Sequence, residues 1–220
     1  MIDIHTHILP GLDDGSQTLS DSLEMAELAL ESGVDTIIAT PHSNQLGRFE
    51  NFDLVHLKHV FSRLQQALQE EGIPLTLHLG MEIFASENLC EKIQAGALLS
   101  LNRSRYYLVE FAFDEVPEFI GDILDGMLSV GAIPVIAHPE RYFCVQDYPS
   151  LIYHWLQLGC FTQLNKGSIL GKFGRHAQIA ADYLLRYRLA TCIASDAHSP
   201  VMRTTHMRDI IEYLLETYGE

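Results

Sequence analysis

Hydrophobic residues follow two patterns along the chain: short apolar runs, and longer stretches in which an apolar residue recurs every three or four positions. The runs are typical of buried strands, and the stretches are typical of helices that bury one face. Seven segments of each kind alternate. Strands are predicted within 1–8 and over 34–40, 75–79, 106–111, 133–137, 161–165 and 190–194, and helices over 18–32, 51–71, 86–94, 117–130, 148–158, 176–187 and 205–218.

This alternation predicts parallel βα units with a right-handed, barrel-like closure. Ser20 is the predicted N-cap of the first helix, and Gly167, Gly171 and Gly174 predict a loop after the sixth strand. No linker, repeat or low-complexity segment divides the pattern. The sequence therefore predicts one α/β domain over 1–220.

Composition excludes several classes of partner. The formal net charge of −15, without a basic run, argues against nucleic-acid binding, which needs clustered Lys and Arg. No segment approaches the roughly 18 uninterrupted apolar residues of a membrane span, so no membrane insertion is expected. Four widely spaced cysteines without a C-x-x-C pair indicate reduced thiols and a cytoplasmic protein. Association into a homo-oligomer stays open.

Histidines and acids recur where the predicted strands end. His5 and His7 occupy alternate positions of the opening strand, so both imidazoles face one side. In a chain with 11 histidines this pair alone is weak evidence, and two partly buried strand histidines are the competing interpretation. The turn after the opening strand supplies Asp14, and later strand ends supply His42, Glu82, Glu110, His138, Asn165, Asp196 and His198. Because the carboxyl ends of barrel strands converge on one rim, we expect these side chains to meet.

These residues predict a metal centre. Imidazole nitrogens and carboxylate oxygens without a thiolate suit manganese, iron or zinc, and the mixture does not distinguish among them. Five histidines and four carboxylates exceed the needs of one ion, so two or three divalent ions are expected. Such ions activate water for hydrolysis of a phosphoester or an amide. Arg141 and Arg203 favour a phosphoester because a guanidinium fits phosphate oxygens, although a surface salt bridge is an equal alternative for either arginine alone.

Seven segments resemble a known superfamily. They read MIDIHTHILPGLDDG, IIATPH, GMEI, LVEF, IAHPERY, QLNKGSILGKFG and ASDAHS, and they span residues 1 to 199. On these segments the chain resembles the PHP (polymerase and histidinol phosphatase) superfamily and, within it, the bacterial protein-tyrosine phosphatases of the CpsB/YwqE type. The resemblance implies a distorted (β/α)7 barrel and a site with three metal ions, often manganese.

The resemblance also implies roles for individual residues. The implied metal ligands are His5, His7, Asp14, His42, Glu82, Glu110, His138, Asp196 and His198. Arg141 and Arg203 are expected to bind the phosphate and act in catalysis. Ser43 stands where many relatives have a second histidine and receives no role, while Asn165 and Ser168 are expected to support the site.

The resulting hypothesis is a metal-dependent protein-tyrosine phosphatase in which a metal-bound hydroxide attacks phosphorus. A phenol ionises near about pH 10, so its departure needs a proton donor less than that of an aliphatic alcohol does. The implied substrate is the phosphotyrosine tail of a cognate bacterial tyrosine kinase, in the regulation of capsular and exopolysaccharide synthesis. The alternatives are a PHP phosphoesterase for a small molecule such as histidinol phosphate, and a metal-stabilised module that binds a phosphopeptide without hydrolysing it.

Overall fold

The structure is a computed structural model that describes residues 1–219, which form nine strands, nine α-helices and two 3-10 helices, Leu101–Arg103 and Pro139–Arg141. The strands are β1 (Ile2–Thr6), β2 (Thr36–Ala39), β3 (His42–Ser43), β4 (Thr76–Leu79), β5 (Glu82–Phe84), β6 (Tyr106–Glu110), β7 (Ile133–Ala137), β8 (Phe161–Asn165) and β9 (Cys192–Ala194). The helices are α1 (Leu19–Glu31), α2 (Leu54–Glu70), α3 (Leu89–Gln94), α4 (Pro117–Ser129), α5 (Phe143–Asp147), α6 (Leu151–Leu158), α7 (Lys166–Ile169), α8 (Arg175–Arg186) and α9 (Arg208–Tyr218).

The strands pair in parallel and form two sheets, with the orders β1-β2-β4 and β3-β5-β6-β7-β8-β9. This arrangement confirms the predicted parallel α/β class. It does not form the closed barrel that we expected, because the ladder is interrupted between β2 and β3 and between β4 and β5. Pro41 stands at the first interruption, where it has no N–H to donate, and Gly80 and Met81 form the second.

The two sheets nevertheless approach each other beside β1. The N–H of His7 donates to the carbonyl oxygen of Ala197 at 2.9 Å, and the N–H of Asp196 donates to that of His5 at 3.0 Å. These bonds join the end of β1 to the segment that follows β9. The carboxyl ends of the first and last strands therefore lie side by side.

The first helix begins with a capping box that differs from the prediction. Thr18, rather than Ser20, is the N-cap: its hydroxyl accepts from the N–H of Asp21, whose carboxylate accepts from the N–H of Thr18. Other predicted ends differ from the observed ones by at most three residues, as in the helix predicted over 51–71 and observed over Leu54–Glu70. Helix ends are set by such local hydrogen bonds, which apolar periodicity does not report.

The segments after β7 and β8 are more helical than predicted. The predicted loop after β8 begins with α7, where the Asn165 side chain accepts from the N–H of Gly167 at 2.7 Å. The helix predicted over 148–158 begins at Leu151, and the separate short helix α5 precedes it. The helix α7 follows β8 directly, whereas a 3-10 turn over Pro139–Arg141 separates β7 from α5.

The apolar faces of the helices and strands form the core. On α2, for example, Leu57, Val60, Leu64 and Leu68 are buried against it. No helix within residues 1–219 combines the length and the apolar character needed to span a bilayer. Apolar side chains fill this core, and most of the buried histidines and acids lie at the ends of the strands.

Candidate metal centre

All nine side chains predicted as metal ligands lie together at the carboxyl ends of the strands, here called the rim. Eight of them form three overlapping groups, in each of which one donor atom per residue lies within 4.8 Å of the others: His7, Asp14, His42 and His198; His5, His7 and Asp196; and His42, Glu82 and Glu110. The ninth, His138, has its Nε2 atom 3.0 Å from Oε1 of Glu82. A cavity of about 180 Å³ opens onto the rim, whereas a larger one of about 780 Å³ beside α2 and β4 contains none of these residues.

His5 is oriented by an amide. The Nδ1 atom of His5 lies 2.7 Å from Oε1 of Gln163, and the Nε2 atom of Gln163 donates to the carbonyl oxygen of Leu164 at 2.7 Å. The amide oxygen therefore faces the imidazole, and Nδ1 must carry the hydrogen. This tautomer leaves the Nε2 lone pair of His5 directed into the rim.

Two further histidines are oriented in the same way. Nδ1 of His7 donates to Oδ2 of Asp13 at 2.7 Å, and Nδ1 of His198 donates to the carbonyl oxygen of Asp196 at 3.0 Å. Histidines that bind metals usually donate their other ring N–H to such an acceptor, which fixes the ring and the tautomer. The Nε2 atoms of all three rings are thus available to a cation.

Glu82 lies where these nitrogens converge. Its Oε2 atom is 3.0 Å from Nδ1 of His42 and 3.2 Å from Nε2 of both His5 and His7. The same oxygen is buried and has no hydrogen-bond partner of acceptable geometry. An uncompensated buried carboxylate oxygen is costly, and a cation among these atoms would satisfy it. The residues at the rim therefore fit divalent metal ions.

The charges at the rim depend strongly on one another. Burial opposes ionisation of Glu82, but the imidazoles of His5 and His42 outweigh it and hold the pKa of Glu82 well below its usual range. Burial and the neighbouring Glu82 carboxylate raise the pKa of Glu110 to about 8. Burial also opposes protonation of His5, yet Glu82 and Asp196 raise its pKa to about 9. With protein side chains alone, the rim thus retains protons that a cation would replace.

The two predicted phosphate-binding arginines reach the same rim. Arg203 donates from Nη2 to Oδ2 of Asp196, and Nη1 of Arg141 lies 4.0 Å from the same oxygen. The guanidinium of Arg141 stacks between two rings, 4.3 Å from the centroid of Phe113 and 4.5 Å from that of Phe173. Both guanidiniums line the cavity at the rim. Their positions suit an anion bound beside the metal ligands.

Three rim residues adopt left-handed backbone conformations. The φ angles of His138, Asp196 and Arg203 are +32°, +48° and +54°. Such conformations cost on the order of 1–3 kcal/mol for a residue with a side chain, and they persist where the surrounding structure imposes them. The fold therefore sustains local strain that directs these side chains toward the rim.

Several residues that sequence analysis did not assign also shape the rim. Asp13 and Gln163 orient histidines, and Phe113 and Phe173 hold Arg141. The sequence could have indicated that Gln163 faces the site. It lies two positions before Asn165 on the same strand and so faces the same side. The side-chain amide of Asn165 donates to Asp196.

Comparison with known proteins identifies the family. The family model described as capsular polysaccharide synthesis, CpsB/CapC, matches residues 1–220. The tyrosine-protein phosphatase YwqE of Bacillus subtilis (strain 168) is 38% identical over 219 residues, which cover 100% of this chain and 85% of YwqE. The tyrosine-protein phosphatase CpsB of Streptococcus pneumoniae is 30% identical over 224 residues, which cover 100% of this chain and 91% of CpsB.

A solved structure agrees with this relationship. The crystal structure of YwqE, described together with CpsB of Streptococcus pneumoniae as unique metal-dependent tyrosine phosphatases, matches with a TM-score of 0.93 and 38% identity. The match covers 100% of this chain and 88% of that one. With the family model matching from the first residue to the last, the chain belongs to the CpsB/CapC family.

Proposed function

We propose that this chain is a metal-dependent protein-tyrosine phosphatase, formed by residues 1–220 as one domain. The observation that carries the proposal is the convergence of nine nitrogen and oxygen donors beside two guanidinium groups on one rim. Relatives that this chain matches over its whole length are named tyrosine-protein phosphatases. The donor set and the arginines suit the hydrolysis of a phosphoester.

The three overlapping groups of donors would hold two or three divalent ions, with manganese favoured over iron or zinc. Because the groups overlap at His7 and His42, the ions would lie close to one another, and each of these two imidazoles would bind one of them. The absence of thiolates among these ligands suits such ions. When bound, the ions lower the pKa of water and offset negative charge on the phosphoryl oxygens.

The arginines would bind the phosphoryl oxygens that point away from the metals. Arg203 is anchored by Asp196, and Arg141 is fixed between Phe113 and Phe173, so little side-chain entropy remains to be lost on binding. Phe113 also lines the cavity at the rim and offers an aromatic surface to the phenyl ring of phosphotyrosine. These residues bind and orient the substrate without taking part in covalent chemistry.

The proposed substrate is phosphotyrosine in protein, on the tail of a cognate bacterial tyrosine kinase that controls capsular and exopolysaccharide synthesis. The family's description as capsular polysaccharide synthesis supports this pathway. The choice of a kinase tail as the substrate is supported by the sequence resemblance to the CpsB/YwqE-type phosphatases.

The proposal is tested by phosphate release from three compounds on one manganese-loaded preparation: a phosphotyrosine peptide, the matching phosphoserine peptide and histidinol phosphate. We expect the phosphotyrosine peptide to be hydrolysed fastest, with activity lost on chelation and restored by Mn²⁺. Arg141→Lys should lower kcat/KM by roughly tenfold at unchanged metal content, because the guanidinium fork is lost.

Arg186→Lys is the matched control, since Arg186 pairs with Asp182 on the surface of α8. Its kcat/KM should equal that of the wild type. Faster turnover of histidinol phosphate would replace the proposed substrate with a small molecule. A phosphotyrosine peptide that stays bound and intact after long incubation would show a binding module instead of an enzyme.

A further inference from the structure

A second cavity adjoins the proposed phosphate site. Its volume is about 290 Å³, and it shares Phe113 and Arg141 with the cavity at the rim. Its other principal lining residues are Phe143, Phe173, Arg175 and His176. We call this space the flanking cavity. Because Arg141 borders both spaces, a peptide whose phosphate lies at the rim can place a neighbouring residue in the flanking cavity.

The flanking cavity is basic within an acidic protein. The formal net charge of the chain is −15, yet the residues that line this cavity include two arginines and a histidine and no carboxylate. Arg175 and His176 are exposed, and neither side chain forms an ion pair or a hydrogen bond within residues 1–219. The Arg175 guanidinium is therefore free to pair with an incoming anion, and the ring N–H of His176 is free to donate a hydrogen bond to it.

The helix that carries them adds to the positive potential. Arg175 and His176 occupy the first turn of α8, where the helix dipole favours acidic side chains. That turn contains no acidic residue, and Gly174 at the N-cap position has no side chain to cap it. Side-chain charge and helix dipole therefore act in the same direction, and an anion would relieve their mutual repulsion.

Aromatic rings complete the cavity. Phe143 is 56% exposed and adds an accessible aromatic surface to this cavity. The rings of Phe113 and Phe173 hold the Arg141 guanidinium between them, so the boundary between the two cavities is well defined. The flanking cavity thus combines apolar walls with an unpaired guanidinium and an unpaired imidazole N–H, which suits a peptide side chain that carries negative charge.

We infer that the flanking cavity binds an anionic side chain next to the phosphotyrosine of the substrate: an aspartate, a glutamate or a second phosphorylated residue. This inference rests on the proposed phosphatase function and adds a preference among its substrates. Arg175 and His176 determine specificity and do not touch the reacting phosphate. Arg141 contacts both parts of the substrate.

The test compares kcat/KM for p-nitrophenyl phosphate and for phosphotyrosine peptides whose neighbouring positions are asparagine, aspartate or phosphoserine. The wild type should prefer each anionic peptide over the asparagine peptide by roughly three- to tenfold at low salt. Arg175→Gln and His176→Gln should each remove part of that preference and leave p-nitrophenyl phosphate turnover unchanged. The phosphoserine and aspartate peptides show which anion is bound more tightly.

Arg186→Gln is the matched control, because it removes the same charge from the far end of α8, where Arg186 bonds to Asp182 at 2.7 Å. Its preference should equal that of the wild type, and added salt should weaken the preference in both proteins. Equal rates for all three peptides, or the same loss in Arg186→Gln, would overturn the inference while leaving the phosphatase function intact. Failure to hydrolyse p-nitrophenyl phosphate and every peptide would overturn the phosphatase function as well.

Discussion

The Nδ1 atom of His7 lies 2.7 Å from Oδ2 of Asp13, and both side chains are fully buried. The Asp13 carboxylate also accepts from the N–H groups of Gly15 and His42, each at 2.9 Å. Burial opposes its ionisation, but His7 outweighs that effect and lowers the pKa of Asp13 to about 2. Asp13 is therefore an ionised anchor that fixes one proposed metal ligand and the backbone of another.

Replacing this anchor should weaken metal binding without removing a ligand. In Asp13→Asn the amide nitrogen cannot accept, so the side chain loses either both bonds to Oδ2, from His7 and His42, or the bond from Gly15 to Oδ1, together with its negative charge. Loss of such an outer partner typically costs about 10–100-fold in metal affinity or activity. Titration of the apoprotein with Mn²⁺ should show a weaker Kd in this range.

Asp122→Asn provides the control for the change in charge. Asp122 is exposed on α4, away from the rim, so the manganese Kd of this variant should match that of the wild type. If Asp13→Asn also bound manganese as tightly as the wild type, the anchoring role of Asp13 would be wrong.

The rim could be predicted from sequence because parallel strands place their carboxyl ends together. His138 directly follows an apolar strand and Asp196 lies two residues after another, so topology alone brings them close. The role of Asp13 could not be predicted in this way. Asp13 and Asp14 are adjacent in an irregular turn, and the sequence pattern does not distinguish them. The structure shows that Asp13 is the buried one and that it bonds to His7.

Contacts between irregular segments that lie far apart in the sequence could not be predicted either. Phe113 and Phe173 lie outside the strands and helices, and their stacking on Arg141 depends on the paths of separate loops. The break of the sheet into two at Pro41 and Gly80 likewise depends on how the strands pair, which apolar patterns do not report. The sequence pattern therefore predicts the proposed ligands, whereas the residues that orient them depend on packing.

Gly15 should tolerate no side chain. A Cβ atom there would lie 2.3 Å from both the Cβ atom and the carbonyl oxygen of His7, and that oxygen accepts from the N–H of Ser16 at 2.9 Å. Gly15→Ala must displace His7 or break this turn. We expect a loss of at least about 2 kcal/mol in the free energy of unfolding, together with weaker metal binding.

Gly121→Ala is the matched comparison, because a Cβ atom on this residue of α4 meets no atom within 4 Å. It should raise stability by roughly 0.5–1 kcal/mol, since alanine favours a helix over glycine. Denaturant unfolding measures both variants. Equal stability of Gly15→Ala and the wild type would show that the turn can relax around the methyl group.

No cysteine should be needed for catalysis. Burial raises the pKa of Cys160 and of Cys192 to about 12, and it also raises the pKa of Cys90 and Cys144. At neutral pH these thiols carry almost no thiolate, which is the nucleophilic form. Each of the four Cys→Ser variants should therefore keep phosphatase activity at normal metal content. Loss of activity in one of them, with metals and fold intact, would point to a thiol mechanism.

Chelated protein should become less stable as the pH rises from 6.5 to about 9. The folded pKa of Glu110 is about 8 against an ordinary value of 4.5, and that of His5 is about 9 against 6.5. The folded chain therefore holds more protons than the unfolded chain in this range. This part of the stability is present below the unfolded pKa values and is lost as the pH rises through the folded ones.

The stabilisation that Mn²⁺ gives to the protein should increase with pH. Metal binding displaces the same protons, so it becomes stronger as they leave. The difference in Tm between the loaded and chelated proteins should therefore widen as the pH rises above 6.5. Thermal unfolding in matched buffers with Mn²⁺ or EDTA measures it. In Glu110→Gln the chelated protein should show a shallower fall, since one of the groups that hold extra protons in the folded chain is gone. A Tm of the chelated wild type that rises with pH over this range would contradict the assignment of these protons to Glu110 and His5.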